Sequence, residues 1–305
     1  MRYAIGFPQF VADGSFDPAG FGDYLRRAEE LGFHSAWAVE QVLGRLPVLS
    51  ALEVMTFAAA RTERLRLGCA VFVTPLHVPV HLAKALSSLD QLSRGRLEVG
   101  IGTGGRRPGG AFGVGGERPA ARFTEGLRLM RALWTDPEVS FKGDFWQVAE
   151  AGMEPKPFQK PHRPIWIGAN HPNALRRAAR LGDGFFGAGS TPTARFAEQV
   201  PVVRRALEEA DRDPARFGIA KRVYIAVDDD RERARQQVVQ GLQRLYAGAG
   251  LADLEAMPVS GTPDDCVRGV RTVADAGAEL ILFTVLADER QQMERLAAEV
   301  IPQVG

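Results

Sequence analysis

The sequence predicts a (β/α)8 barrel forming one domain over residues 1–305, with insertions after the fourth helix and before the eighth strand. Three observations predict it. Short apolar runs rich in β-branched residues alternate with longer amphipathic segments along the whole chain. Eight such runs occur, each followed by a helical segment, which is the count of that barrel. No linker, low-complexity tract or repeat breaks the pattern. An open doubly wound sheet would share the alternation but not the count.

The elements follow in order. Tyr3–Phe7 reads as the first strand. Asp17 caps the first helix, Pro18 lies in its opening turn, and Gly32 ends it. Ser35–Val39 is the second strand and Leu49–Arg61 its helix. Leu65–Val73 and Val80–Leu92 form the third pair, closed by Ser93-Arg94-Gly95. Leu97–Ile101 is the fourth strand, and Ala120–Leu133 its helix. The stretch 136–164 is rich in proline and aromatics and reads as a short hairpin followed by an extended arm. Then come Ile165–Gly168 with Asn173–Leu181, Gly184–Phe186 with Thr193–Ala210, and Gly218–Val227 with Arg231–Tyr246. An irregular stretch at 248–261 and a helix over Thr262–Ala276 precede the eighth strand, Leu280–Val285. Ala287–Ile301 is the last helix.

Composition limits the function classes. Basic and acidic residues number 38 and 37, so no charge excess points to nucleic acid or to an acidic membrane surface. No apolar stretch approaches the roughly 20 residues of a membrane span. The opening MRYAIGFPQF reads as strand, without the basic and apolar regions of a secretory signal. Cys69 and Cys266 give no disulfide framework, so a reducing cytoplasm is the expected location. Only five of the basic residues are lysines, which points to a GC-rich host.

Gly100-Ile101-Gly102-Thr103-Gly104-Gly105 matches G-x-G-x-x-G. A dinucleotide loop needs a helix directly after it, whose amides hold the pyrophosphate. Here Pro108 and a run of glycines delay any helix to about Pro119, and the motif follows the fourth strand rather than the first. In a barrel the strand's exit is the active-site face. The motif therefore reads as a backbone that a ligand approaches closely, or as a plain flexible connection.

The segment 77–102, HVPVHLAKALSSLDQLSRGRLEVGIG, resembles the central signature of the luciferase-like monooxygenase superfamily. Pro155-Lys156-Pro157, Pro164-Ile165-Trp166-Ile167-Gly168 and Leu181-Gly182-Asp183-Gly184-Phe185 are similar to later segments of the same family. The resemblance implies the same barrel. It also implies FMN or the deazaflavin F420 bound at the C-terminal ends of the strands. Within the superfamily the chain looks most like the F420-dependent branch. Three functions are carried: an F420-dependent oxidoreductase, an FMN-dependent two-component monooxygenase, and a low-turnover F420 or flavin-binding protein. The expected partners are a small-molecule substrate and a second copy of the chain, with no nucleic acid and no membrane. No third ligand is placed to join His77 and His81 at a metal.

Site residues carry over one by one. Where the family has an acid followed by His, this chain has Glu40 and Gln41. Glu40 and Gln41 are the candidates at the catalytic position and for cofactor binding; Gln41 cannot act as acid or base, so its part there is contact with the cofactor. Glu40 is either a structural carboxylate or a functional one. The resemblance places a non-proline cis peptide at Ala70–Val71, a bulge beneath the cofactor ring, with Val73 close by. Gly102, Thr103 and Gly104 are expected along the cofactor. Gly168, Ala169, Asn170 and His171, and Ala188, Gly189 and Ser190, are expected near its phosphate. Gly105 stands where some sugar-phosphate-oxidising relatives carry a glutamate. Phe7, Phe10, Trp37, Phe72 and Phe112 are candidates for the substrate side.

Overall fold

The computed structural model describes residues 1–11, 15–43, 46–104, 118–247, 250 and 253–304. The eight strands expected from the alternation are β1 (Arg2–Gly6), β2 (Ser35–Ala38), β3 (Arg66–Val73), β4 (Leu97–Gly102), β7 (Ile165–Gly168), β8 (Gly184–Gly187), β9 (Gly218–Val227) and β11 (Leu280–Thr284). They hydrogen-bond in the order β9-β11-β1-β2-β3-β4-β7-β8, and β8 pairs again with β9. The fold class is the (β/α)8 barrel. The 136–164 insertion carries an antiparallel hairpin, β5 (Val139–Lys142) and β6 (Gln147–Ala151), as expected.

One stretch read as irregular contains a strand. β10 (Val259–Gly261) pairs in parallel with the far end of β9, Val259 opposite Ile225 and Gly261 opposite Val227. β9 runs on past its partners β8 and β11, which leaves that end open to a further strand.

The chain divides into two compact units. One comprises Gln9–Ser15 and Ala38–Gly168. Its helices are α2 (Ala51–Ala59), α3 (Pro79–Leu92) and α4 (Pro119–Thr135). β4 is buried at every position, as a parallel strand covered on both faces must be. The segment that carries the resemblance does structural work here. Asp90, fully buried at the end of α3, accepts from the Gln159 backbone N–H at 2.9 Å and from Gln159 Nε2 at 2.8 Å, which ties down the insertion's arm. The Arg96 guanidinium donates to Ser93 O, Thr62 Oγ1, Leu65 O and Ala59 O, all at 2.8–2.9 Å.

The other unit comprises Met1–Pro8, Phe16–Trp37 and Ala169–Gly305. Its helices are α1 (Pro18–Glu30), α5 (Pro172–Leu181), α6 (Thr193–Glu208), α7 (Arg231–Leu245), α8 (Pro263–Asp275) and α9 (Glu289–Arg295). Asp17 caps α1 as its sequence predicts, and Thr262 with Asp265 forms a capping box on α8. The last helix runs on through a π-turn at Leu296–Val300.

Candidate functional site

In the first of these units the site begins behind β2. Gln9 is buried, and its carboxamide holds the backbone leading to Glu40. Nε2 donates to Val39 O at 2.8 Å and to Leu49 O at 3.0 Å, while Oε1 accepts from the Val39 N–H at 2.7 Å. Glu40 follows with its side chain only 7% exposed. Its Oε2 accepts from the Val73 N–H at 2.6 Å, and its Oε1 lies 2.8 Å from His77 Nε2. A carboxylate accepts, so Nε2 is the donor and Nδ1 is the remaining imidazole nitrogen. The His77 ring stands edge-on to Phe72, 6.2 Å between centroids.

His77 is the partner that sequence reasoning missed. It lies 37 residues from Glu40, and nothing in the local pattern announces the pair. His81, with which it shared helical spacing, is exposed. Gln41 Nε2 donates to Leu46 O at 3.2 Å, within its own loop.

The Ala70–Val71 peptide is cis, where the resemblance implied it, and the β3–β4 register breaks between Cys69 and Phe72. Val71 stays half-buried. A Cβ on Gly102 would lie 2.8 Å from Val71 Cγ2, and one on Gly168 would lie 3.1 Å from Val71 Cγ1. Val71 occupies the space a Cβ at either glycine would take, so two neighbouring strands give way to the bulge. Thr103 is half-buried and Gly104 exposed, with φ of +69°. Gly105 and Phe112 lie outside the described residues.

The other unit carries the second set. Ala169 is buried, and Asn170 is exposed beyond it. Asn170 Oδ1 accepts from Thr191 Oγ1 at 2.8 Å and from Gln199 Nε2 at 3.1 Å, which leaves its amide nitrogen as the outward end. His171 caps α5, its Nδ1 accepting from the Asn173 N–H at 3.3 Å. Ala188, Gly189, Ser190 and Thr191 form a turn in which the Thr191 N–H bonds Ala188 O at 3.1 Å. Gly189 is required there, because a Cβ would lie 2.5 Å from Tyr224 Cε2.

Beneath the turn lies Lys221, 2% exposed. Its Nζ donates to Ala188 O, to Thr191 O at 2.8 Å and to Arg222 O at 2.9 Å. Burial pushes the ammonium down from 10.5 to about 7, with Arg222 adding to the effect. The folded value lies below the unfolded one. The unfolded chain therefore holds the extra proton between pH 7 and 10.5, the cost is complete below that window, and it fades as pH rises through it. Relative to Lys221→Met, wild-type stability in urea is expected to rise with pH across the window, by at most about 1.4 kcal/mol per unit.

Three aromatics proposed for the substrate side are core residues instead. Phe7, Trp37 and Phe72 are buried, and Trp37 packs edge-on against Phe186 at 4.9 Å. Barrel interiors use the same residue types as apolar pockets, and their composition does not separate the two.

A family model described as luciferase-like monooxygenase matches residues 4–254. The chain belongs to that family. Among curated relatives, an F420-dependent glucose-6-phosphate dehydrogenase of Nakamurella multipartita is 28% identical over 332 residues, covering 97% of this chain and 95% of that one. The crystal structure of monooxygenase RslO1 from Streptomyces bottropensis matches with a TM-score of 0.87 at 25% identity, covering 100% of both chains. The coenzyme F420-dependent tetrahydromethanopterin reductase of Methanopyrus kandleri shares the fold, with a TM-score of 0.84, 21% identity and coverage of 100% of this chain and 99% of that one. Among the described residues of this luciferase-like chain, no helix is long and apolar enough to cross a membrane.

Proposed function

We propose that the protein is an F420-dependent oxidoreductase that moves a hydride between the deazaflavin and a small organic substrate. The observation that carries this reading is Val71. Seated over Gly102 and Gly168 and still half-buried, it offers an apolar surface of the kind a planar ring stacks on. The name of the Nakamurella relative supports a deazaflavin in this role.

The bound cofactor supplies the hydride chemistry. The chain's own residues hold and orient it. Glu40 anchors the bulge through the Val73 N–H. His77, fixed by Glu40, presents Nδ1 as a proton-handling group where Gln41 has none to offer. Asn170 and the 188–190 turn are assigned to the phosphate.

A second reading, an FMN-dependent monooxygenase, is favoured by the likeness to RslO1. Fluorescence titration of the purified protein with F420 and FMN separates the two. Micromolar or tighter F420 binding, with FMN at least tenfold weaker, is the expected result. The reverse preference would transfer the assignment to the monooxygenase.

A further inference from the structure

We propose that Lys221 is a positioning residue for phosphate binding, setting the 188–191 turn so that the Gly189 N–H and the Asn170 side chain face an anion. The inference rests on the reading that this turn takes the cofactor's phosphate. Lysine is rarely buried without a partner, and Lys221 has three, all backbone carbonyls. Two of the three, Ala188 O and Thr191 O, bracket the turn.

A trans peptide holds its N–H opposite its C=O. Drawing Ala188 O toward the ammonium therefore turns the Gly189 N–H the other way. The same turn passes through Thr191, whose hydroxyl occupies Asn170 Oδ1 and so orients the Asn170 amide. One buried cation thus fixes both donors, and its positive charge lies under the place assigned to an anion. Tyr224, which makes glycine necessary at 189, bonds Tyr246 Oη at 2.7 Å, and Tyr246 in turn hydrogen-bonds Ser190.

The test compares wild type with Lys221→Met and Lys221→Gln. The methionine removes charge and donors, whereas the glutamine keeps two donors without charge. Three quantities are read: affinity for F420, affinity for the phosphate-free 8-hydroxy-5-deazariboflavin, and hydrogen exchange at 188–191 with and without inorganic phosphate. Lys221→Met is expected to weaken F420 at least tenfold and to leave the phosphate-free ligand within twofold. Its exchange at 188–191 should be faster, and phosphate should no longer slow it. Lys221→Gln is expected to fall between.

Equal weakening of both ligands, or unchanged exchange and phosphate response, would overturn the proposal. Should wild type bind no F420, the functional reading fails, and the exchange response to phosphate still decides the role of Lys221. Should the methionine variant not fold, the glutamine variant carries the comparison.

Discussion

Gly100→Ala is expected to cost at least about 4 kcal/mol and to leave little soluble protein. A Cβ at this position would lie 2.0 Å from the Cys69 carbonyl oxygen and 3.2 Å from its carbon. Both are backbone atoms, so no rotamer change relieves the overlap. Gly100 sits opposite Trp166 in the β4–β7 pairing, on a strand buried throughout. The only escape is to part β4 from β3 beside the bulge, which breaks ladder hydrogen bonds where no water replaces them.

Gly102→Ala differs in kind, because its new methyl would meet the end of the Val71 side chain. Gly32→Ala differs again, with φ at +82° but nothing within 4 Å, and belongs near 1 kcal/mol. Urea melts of the three variants should rank them in that order of severity, Gly100 first. A Gly100→Ala protein melting within a few degrees of wild type would show that β3 and β4 tolerate separation, against the packing described.

Much of this barrel was legible because its strands advertise themselves locally. β4 is a short run of apolar residues and glycine broken only by Glu98, and the proline-opened helices have their stops in sequence. β10 gave no such signal. Its three residues end in glycine, and what makes them a strand is the end of β9 that runs past β8 and β11, more than 30 residues earlier in the chain.

The candidate site divides the same way. The stretch 77–102 announced the family, yet Asp90 and Arg96 hold the scaffold rather than a ligand. The residues with chemistry to offer pair over distance: Glu40 with His77, and Lys221 with a turn about 30 residues before it. A trace of Lys221 was present in the sequence. It shares strand parity with Ile219, Val223 and Ile225, in a chain with only five lysines, and that placement marks it as a buried cation.

Glu40 separates two roles that one substitution would confuse. In Glu40→Ala the Val73 N–H and the His77 imidazole both lose their acceptor inside a site where the carboxylate was 7% exposed. Each orphaned donor costs about 1–3 kcal/mol. The bulge loses its anchor two residues from Val71, so F420 affinity is expected to fall at least tenfold. Glu40→Gln keeps the shape. Its amide oxygen still accepts from Val73, and its NH2 becomes a donor facing His77. The imidazole must then accept through Nε2 and carry its proton on Nδ1. Stability is expected to stay within about 1 kcal/mol of wild type and F420 binding within threefold, while nitrogen NMR reports the switched tautomer. Substrate turnover should fall far more than binding, because the nitrogen left to handle a proton has changed its character from acceptor to donor. If Glu40→Gln turned over substrate like wild type with the tautomer switched, His77 would have no part in proton transfer, and Glu40 would be a scaffold residue alone.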